Sequence, residues 1–205
     1  MKTVTETRTW NSFEEILDNV WEMLMHGLAD ARDPFHTPVF GSVGSDNCNL
    51  RTVVLRGVIP EERVLMCHTD LRSGKIRDIR QNPRVSWLFY RPQQKVQSHL
   101  AGQASIHTAD ELADRQWAAT KLMSRRCYCG PDGPGTPSDE PSSGLPEFLE
   151  NRSPTPAESE LGRKNFAVIS CRVDFLDWLF LRARSHRRAQ FSWTDNRVAP
   201  KWVTP

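Results

Sequence analysis

The run Thr69-Asp70-Leu71-Arg72-Ser73-Gly74-Lys75 sets two hydroxyls, a glycine and two cations between a strand-like and a helix-like segment. A hydroxyl turn that leads into a helix offers backbone N–H groups and a favourable dipole to an anion, and Lys75 adds a full charge. That is the chemistry of phosphate binding. Just upstream, Arg51-Thr52-Val53-Val54-Leu55-Arg56 places two further cations on a β-like run. Simpler structure fits the same residues: Ser73 as an ordinary helix cap, and the arginines as solvated side chains at strand ends. The glycine spacing is not that of a P-loop. On one regular strand Arg51, Val53 and Leu55 would share a face and Arg56 would lie on the other, so a ligand touching both arginines must run along the strand and use its backbone. A flat aromatic ring system with donors and acceptors on its edge meets that demand.

The elements that must position these groups can be read from periodicity. Ser12 and Glu15 have capping-box spacing, and Ile16, Leu17, Val20, Trp21, Leu24 and Leu28 recur at helical intervals, which predicts an amphipathic helix over 12–30. Strands are predicted over 35–43, 50–59, 63–69, 85–91, 95–107, 166–173, 177–183 and 189–193, with Ile59-Pro60-Glu61-Glu62-Arg63 as a hairpin connection. A short helix is expected from Ser73 to about Gln81, stopped by Asn82-Pro83, with further helical stretches over 109–123 and 157–164. Residues 130–144 are too rich in proline, glycine and serine to be anything but loop. The links between strands are too short for crossover helices, so the sheet should be antiparallel. The fold class expected is α+β, a single domain over 1–205 built on a closed or nearly closed antiparallel barrel with peripheral helices.

Composition narrows the function classes. The 205 residues carry 27 basic and 25 acidic side chains, a net charge of +2, which is no general field for nucleic acid. The cluster over 182–188, with Phe180, Phe191 and Trp193 nearby, would be the place for such binding if it occurred. The sequence contains neither an apolar run long enough to span a membrane nor the apolar core of a signal peptide near Met1, so a cytoplasmic protein is expected. The five cysteines, at 48, 67, 127, 129 and 171, lack the spacing of a zinc site and read as reduced thiols, with no metal. No Ser-His-Asp order or carboxylate pair demands hydrolysis, and no catalytic side chain is assigned.

Several of these features stand in an order that resembles the pyridoxamine 5'-phosphate oxidase family. They are Arg51-x-Val-x-Leu-Arg56, Thr69-Asp-x-x-Ser-x-Lys75, Asn82-Pro83, Gln97 ahead of Gly102, and Trp178 followed by Arg184-Ser-His186-Arg-Arg188. The resemblance implies a split antiparallel β-barrel of FMN-binding type that forms a homodimer with FMN between subunits. It implies cofactor contacts from Arg51, Val53, Leu55, Arg56, Thr69, Ser73, Lys75, Gln97, Ser98, Trp178 and Arg188, the last two from the neighbouring subunit. Arg184 and His186 would approach a small-molecule substrate. The function implied is an FMN-dependent oxidoreductase that transfers a hydride between that substrate and FMN. The alternative is an FMN-binding protein of the same fold without vitamin B6 oxidase activity, a reductase of another substrate or a flavin carrier. That family usually has a lysine where Arg56 stands and an arginine where Gly74 stands, and Trp117, Lys121, Ser124 and Arg125 match its substrate-phosphate segment only loosely. This sets the chain closer to a divergent branch than to the vitamin B6 enzyme.

Overall fold

The computed structural model describes residues 10–182 and 186–205. The first helix, α1 (Phe13–Ala29), starts where Ser12 Oγ accepts the Glu15 N–H at 3.1 Å. Its stripe of Ile16, Val20, Met23 and Leu24 is buried in the core. Loss of such a cap costs about 1 kcal/mol. A single 3₁₀ turn, Pro34–His36, then leads into β1 (Val39–Val43) and β2 (Cys48–Thr52).

The stretch expected as one strand over 50–59 is two. β2 ends at Thr52, Val53 and Val54 are unpaired by any strand, and β3 (Leu55–Ile59) begins a new pairing with β4 (Val64–Asp70). The hairpin connection between β3 and β4 is a 3₁₀ turn closed by Arg63 in the left-handed region. Helix α2 (Gly74–Gln81), β5 (Arg84–Arg91), β6 (Val96–His107) and α3 (Glu111–Ala119) follow. The helix expected over 109–123 therefore stops at Ala119, and Leu122–Arg125 forms a separate turn. Residues 130–144 are without helix or strand.

Strand β7 (Phe166–Phe180) runs through the segments expected as two strands, and β8 (Arg187–Thr194) and β9 (Arg197–Val203) complete the sheet. All pairings are antiparallel, in the order β2-β1-β5-β6-β7-β4-β3, with β8 on β7 and β9 on β8. The sheet does not close on itself: β2 and β3 stand at the ends of its path. Helix α1 packs on β3 and covers that side of the core.

What splits the barrel is a change of partner along β7. One edge pairs with β6 over Val168–Phe180; the other pairs with β4 over Phe166–Arg172 and with β8 over Phe175–Phe180. At the changeover β6 shifts register between Ala101 and Gly102, and the strands approach so closely that a Cβ on Gly102 would lie 2.0 Å from the Arg172 carbonyl oxygen. Only glycine fits there. Gly102→Ala is expected to cost about 3 kcal/mol, the upper range for overpacking, and to lower the melting temperature by several degrees. Gly74→Ala, with no atom nearer than 3.6 Å to the new carbon, should move stability by at most about 1 kcal/mol. An unchanged melting temperature for Gly102→Ala would contradict the close crossing.

Candidate functional site

Strand β4 carries Thr69 to its end because its pairing with β7 runs to Asp70 opposite Phe166. The chain then turns and enters α2 with Ser73 at the N-cap. There Thr69 Oγ1 and Ser73 Oγ lie 3.1 Å apart, and Lys75 Nζ donates to Thr69 Oγ1 at 2.9 Å and to Ser73 Oγ at 3.4 Å. Both hydroxyl residues are buried. The Ser73 side chain makes no capping bond to the helix. Its hydroxyl is therefore directed at Lys75 and Thr69, not spent on α2.

Only one cation of the turn faces these hydroxyls. Arg72 is turned away: its Nε and Nη2 hold the Asp70 carboxylate at 3.0 and 2.8 Å, and its Nη1 donates to the Gly130 and Pro131 carbonyls at 3.1 and 2.9 Å. Arg72 thus straps the 130–144 loop to the turn. Between turn and loop lies a cleft of about 460 Å³ lined by Asp70, Cys127 and loop residues.

The second cation of the cradle is Arg51. Its Nη1 donates to Ser42 Oγ at 2.7 Å and to the Asn49 carbonyl at 2.8 Å, and its Nη2 lies 3.8 Å from the Asp78 carboxylate. Asp78 in turn accepts from Ser42 Oγ at 2.6 Å and Asn49 Nδ2 at 3.0 Å. Among the described residues, Arg51 Nε and Nη2 have no protein hydrogen-bond partner within reach, so one edge of the guanidinium stays open.

The electrostatics favour an added anion. Burial is the main cause lowering the Lys75 ammonium from its ordinary value, and the like charge of Arg51 works in the same direction. Burial also lowers Arg51, against the attraction of Asp78. Cys67, between them in charge terms, is pushed up to about 12 by burial and is a neutral thiol, so it supplies no counter-charge. For Asp78, burial acts to raise the carboxyl, but the hydrogen bonds from Ser42 and Asn49 and the charge of Arg51 outweigh it and hold it below the usual range. Two half-buried cations that repel one another are relieved by a phosphate.

The other expected residues divide by face. Leu55 is 1 % exposed and points into the core, and Val53 packs against it with its N–H already donated to the Pro38 carbonyl. Arg56 sits in the register shift of β3 between Leu55 and Gly57, so the regular alternation that separated it from Arg51 does not apply. It lies instead near His68 and Tyr128, whose titration it influences. Gln97 and Ser98 are adjacent on β6 and face opposite ways. Tyr90, Gln97, Leu179 and Arg188 form one row across β5 to β8 on the outward face; Phe89, Ser98, Trp178 and Ala189 form the next row inside. Trp178 is fully buried and meets Trp10 edge to face at 5.4 Å. Arg188 grips Asp177 with two hydrogen bonds of 2.8 and 2.7 Å. His186 is exposed just before β8, and Arg184 lies outside the described residues.

Sequence reasoning passed over His68 and Asp78. Burial lowers His68 to about 4, so it is a neutral imidazole, bonded to Gln116 Oε1 at 2.9 Å. Asp78 had a readable signal, since it stands one helical turn after Lys75 on the same face of α2.

Comparison with known proteins accords with this architecture. Residues 18–108 match the family model described as pyridoxamine 5'-phosphate oxidase, FMN-binding domain. The chain is 24% identical over 192 residues to pyridoxine/pyridoxamine 5'-phosphate oxidase 2 of Arabidopsis thaliana, covering 88% of this chain and 96% of that protein. Among solved structures, it is similar to a pyridoxamine 5'-phosphate oxidase-related, FMN binding protein from Nostoc punctiforme (TM-score 0.74, 22% identity, 92% of this chain and 96% of the other). It is also similar to PhzG from Burkholderia lata, solved with tetrahydrophenazine-1-carboxylic acid (TM-score 0.69, 16% identity, 94% and 92% covered). The matched segment runs from α1 through β6, and the antiparallel split barrel is the fold that the chain shares with these pyridoxamine 5'-phosphate oxidase-related structures.

Proposed function

We propose that this protein binds FMN and acts as an FMN-dependent oxidoreductase, moving a hydride between a small substrate and the flavin. The observation that carries the reading is the Thr69, Ser73 and Lys75 cluster, whose N-cap hydroxyl is withheld from its own helix. Lys75 and Arg51 would bind the terminal phosphate through charge-assisted hydrogen bonds, with Thr69 and Ser73 completing its shell. The open backbone near Val54 would meet the ring edge. FMN supplies the two-electron chemistry when bound; the protein orients both reactants and keeps water out. His186 and Arg184 would orient the substrate.

The proposal includes a homodimer joined through the outward face of the sheet, where Leu50, Leu88 and Tyr90 are exposed beside Gln97 and Arg188. Exposed apolar side chains of that size on one face suit a self-complementary contact.

One observation favours the second reading, a flavin protein that does not oxidise a phosphorylated B6 vitamer. Arg125, in the segment that would hold the substrate phosphate, stacks on Trp117 at 4.7 Å and donates to the Trp117, Thr120 and Ala118 carbonyls, to Ser159 and to Glu160. It is spent on closing α3.

Fluorescence titration of the purified protein should show FMN binding. Lys75→Ala is expected to weaken it about 10- to 100-fold, the worth of one charged hydrogen bond, and Gly74→Arg, which adds a cation without a clash, its Cβ meeting Arg77 Nη2 at 3.6 Å, should tighten it several-fold. A wild-type protein that takes up no FMN would end the proposal. Sedimentation should give a dimer; a monomer at micromolar concentration would remove the interface. With FMN bound, no formation of pyridoxal 5'-phosphate from its amine or alcohol precursors selects the second reading, and sustained turnover rejects it.

A further inference from the structure

We infer that Asp78 is a positioning residue for the phosphate site: it orients Arg51 through the Ser42 hydroxyl, and so sets the preference for a phosphorylated flavin over riboflavin. The inference rests on the FMN reading above and adds a residue to it.

Proton counting on the Ser42 hydroxyl carries the argument. A serine hydroxyl has one proton to give and two lone pairs to offer. At 2.6 Å from Asp78 Oδ2, a carboxylate that can only accept, Ser42 must give its proton there. Its lone pairs are then the only means of meeting Arg51 Nη1, which donates to it at 2.7 Å. The second anchor belongs to the sheet: the backbone carbonyl of Asn49, fixed in β2, takes the other Nη1 proton of Arg51 at 2.8 Å, while the Asn49 side-chain amide donates to Asp78 at 3.0 Å. Both protons on Nη1 are thereby committed, one of them to a hydroxyl whose own proton Asp78 holds.

The consequence is directional. With Nη1 fixed, the open edge of the guanidinium, Nε and Nη2, is the edge presented to a ligand, and two parallel N–H groups match a phosphate. Asp78 itself remains 3.8 Å from Nη2, near enough to offset charge and too far to take its protons. Ser42 is buried at 1 % exposure, so solvent does not substitute for the carboxylate. One short helix thus bears both Lys75, which reaches the anion directly, and Asp78, which aims the second cation at it.

The test compares FMN with riboflavin, which differ by the phosphate alone, in the wild type, Asp78→Ala, Asp78→Asn and Ser42→Ala, each also melted to establish folding. Wild-type protein should bind FMN at least about 100-fold more tightly than riboflavin, as two charged contacts imply. Asp78→Ala should cut that ratio about tenfold while riboflavin affinity stays within about twofold. Asp78→Asn, which keeps acceptors for Ser42 and Asn49, should fall between, and Ser42→Ala should follow Asp78→Ala. Ser42→Ala and Asp78→Asn carry the comparison if Asp78→Ala does not fold. The inference is overturned if the ratio is unchanged, if both flavins weaken together as a merely structural role requires, or if FMN binds more tightly because Asp78 had competed with the phosphate. Failure of wild-type protein to bind either flavin would instead overturn the FMN reading, and the inference with it.

Discussion

Everything in this fold hangs on the division of β7 between two partners. A strand of 15 residues gives its first half to β4 and its second half to β8. The close crossing at Gly102 lets β6 follow it through the changeover. Pairing of the first half carries β4 down to Asp70, and the backbone N–H of Leu71 still bonds the Asn165 carbonyl just ahead of β7. The turn that holds Thr69 and Ser73 therefore begins from a backbone fixed on the central strand. Pairing of the second half sets Gln97, Leu179 and Arg188 in line on the outer face.

Side chains placed at the end of such a strand can hold unfavourable charge together. Arg51 and Lys75 stand together, Arg51 with Asp78 beside it and Lys75 bonded to two hydroxyls, while the Cys67 thiol near them is neutral. Barrel and helix fix the backbone on which these side chains stand. Pre-organised cations lose little entropy when a phosphate arrives, which is where such a site gains affinity. The acidic partner of Arg72 acts differently: Asp70 neutralises it and turns it to the 130–144 loop, so a cation that lies in the same turn by sequence is not in the same site.

Much of this was legible in the sequence, for local reasons. Ser12 with Glu15 and the apolar stripe after them mark α1 to within a residue, and Asn82-Pro83 stops α2 at Gln81. The hydroxyls and Lys75 of the cradle come together as their spacing suggests. What stayed hidden depends on the tertiary fold. Thr52 to Leu55 is an unbroken run of strand-forming residues, so nothing local marks the change from β2 to β3. Strand β9 is exposed along nearly its whole length and shows no alternation to detect. Asp78 looks like an ordinary helix-surface charge until β1 and β2 bring Ser42 and Asn49 against it. Trp178 shows the converse: its spacing from Arg188 is right for the family resemblance, yet the two project to opposite faces, and Trp10 packs on the indole.

The central claim is that the cradle at the start of α2, with Arg51 beside it, is where a flavin phosphate is held. A crystal structure of the protein grown with FMN tests it most directly. The account predicts phosphate oxygens within hydrogen-bond distance of Lys75 Nζ, Thr69 Oγ1, Ser73 Oγ and the open edge of Arg51. A phosphate bound instead among the arginines that precede β8, or in the cleft under the 130–144 loop with the cradle unengaged, would contradict it.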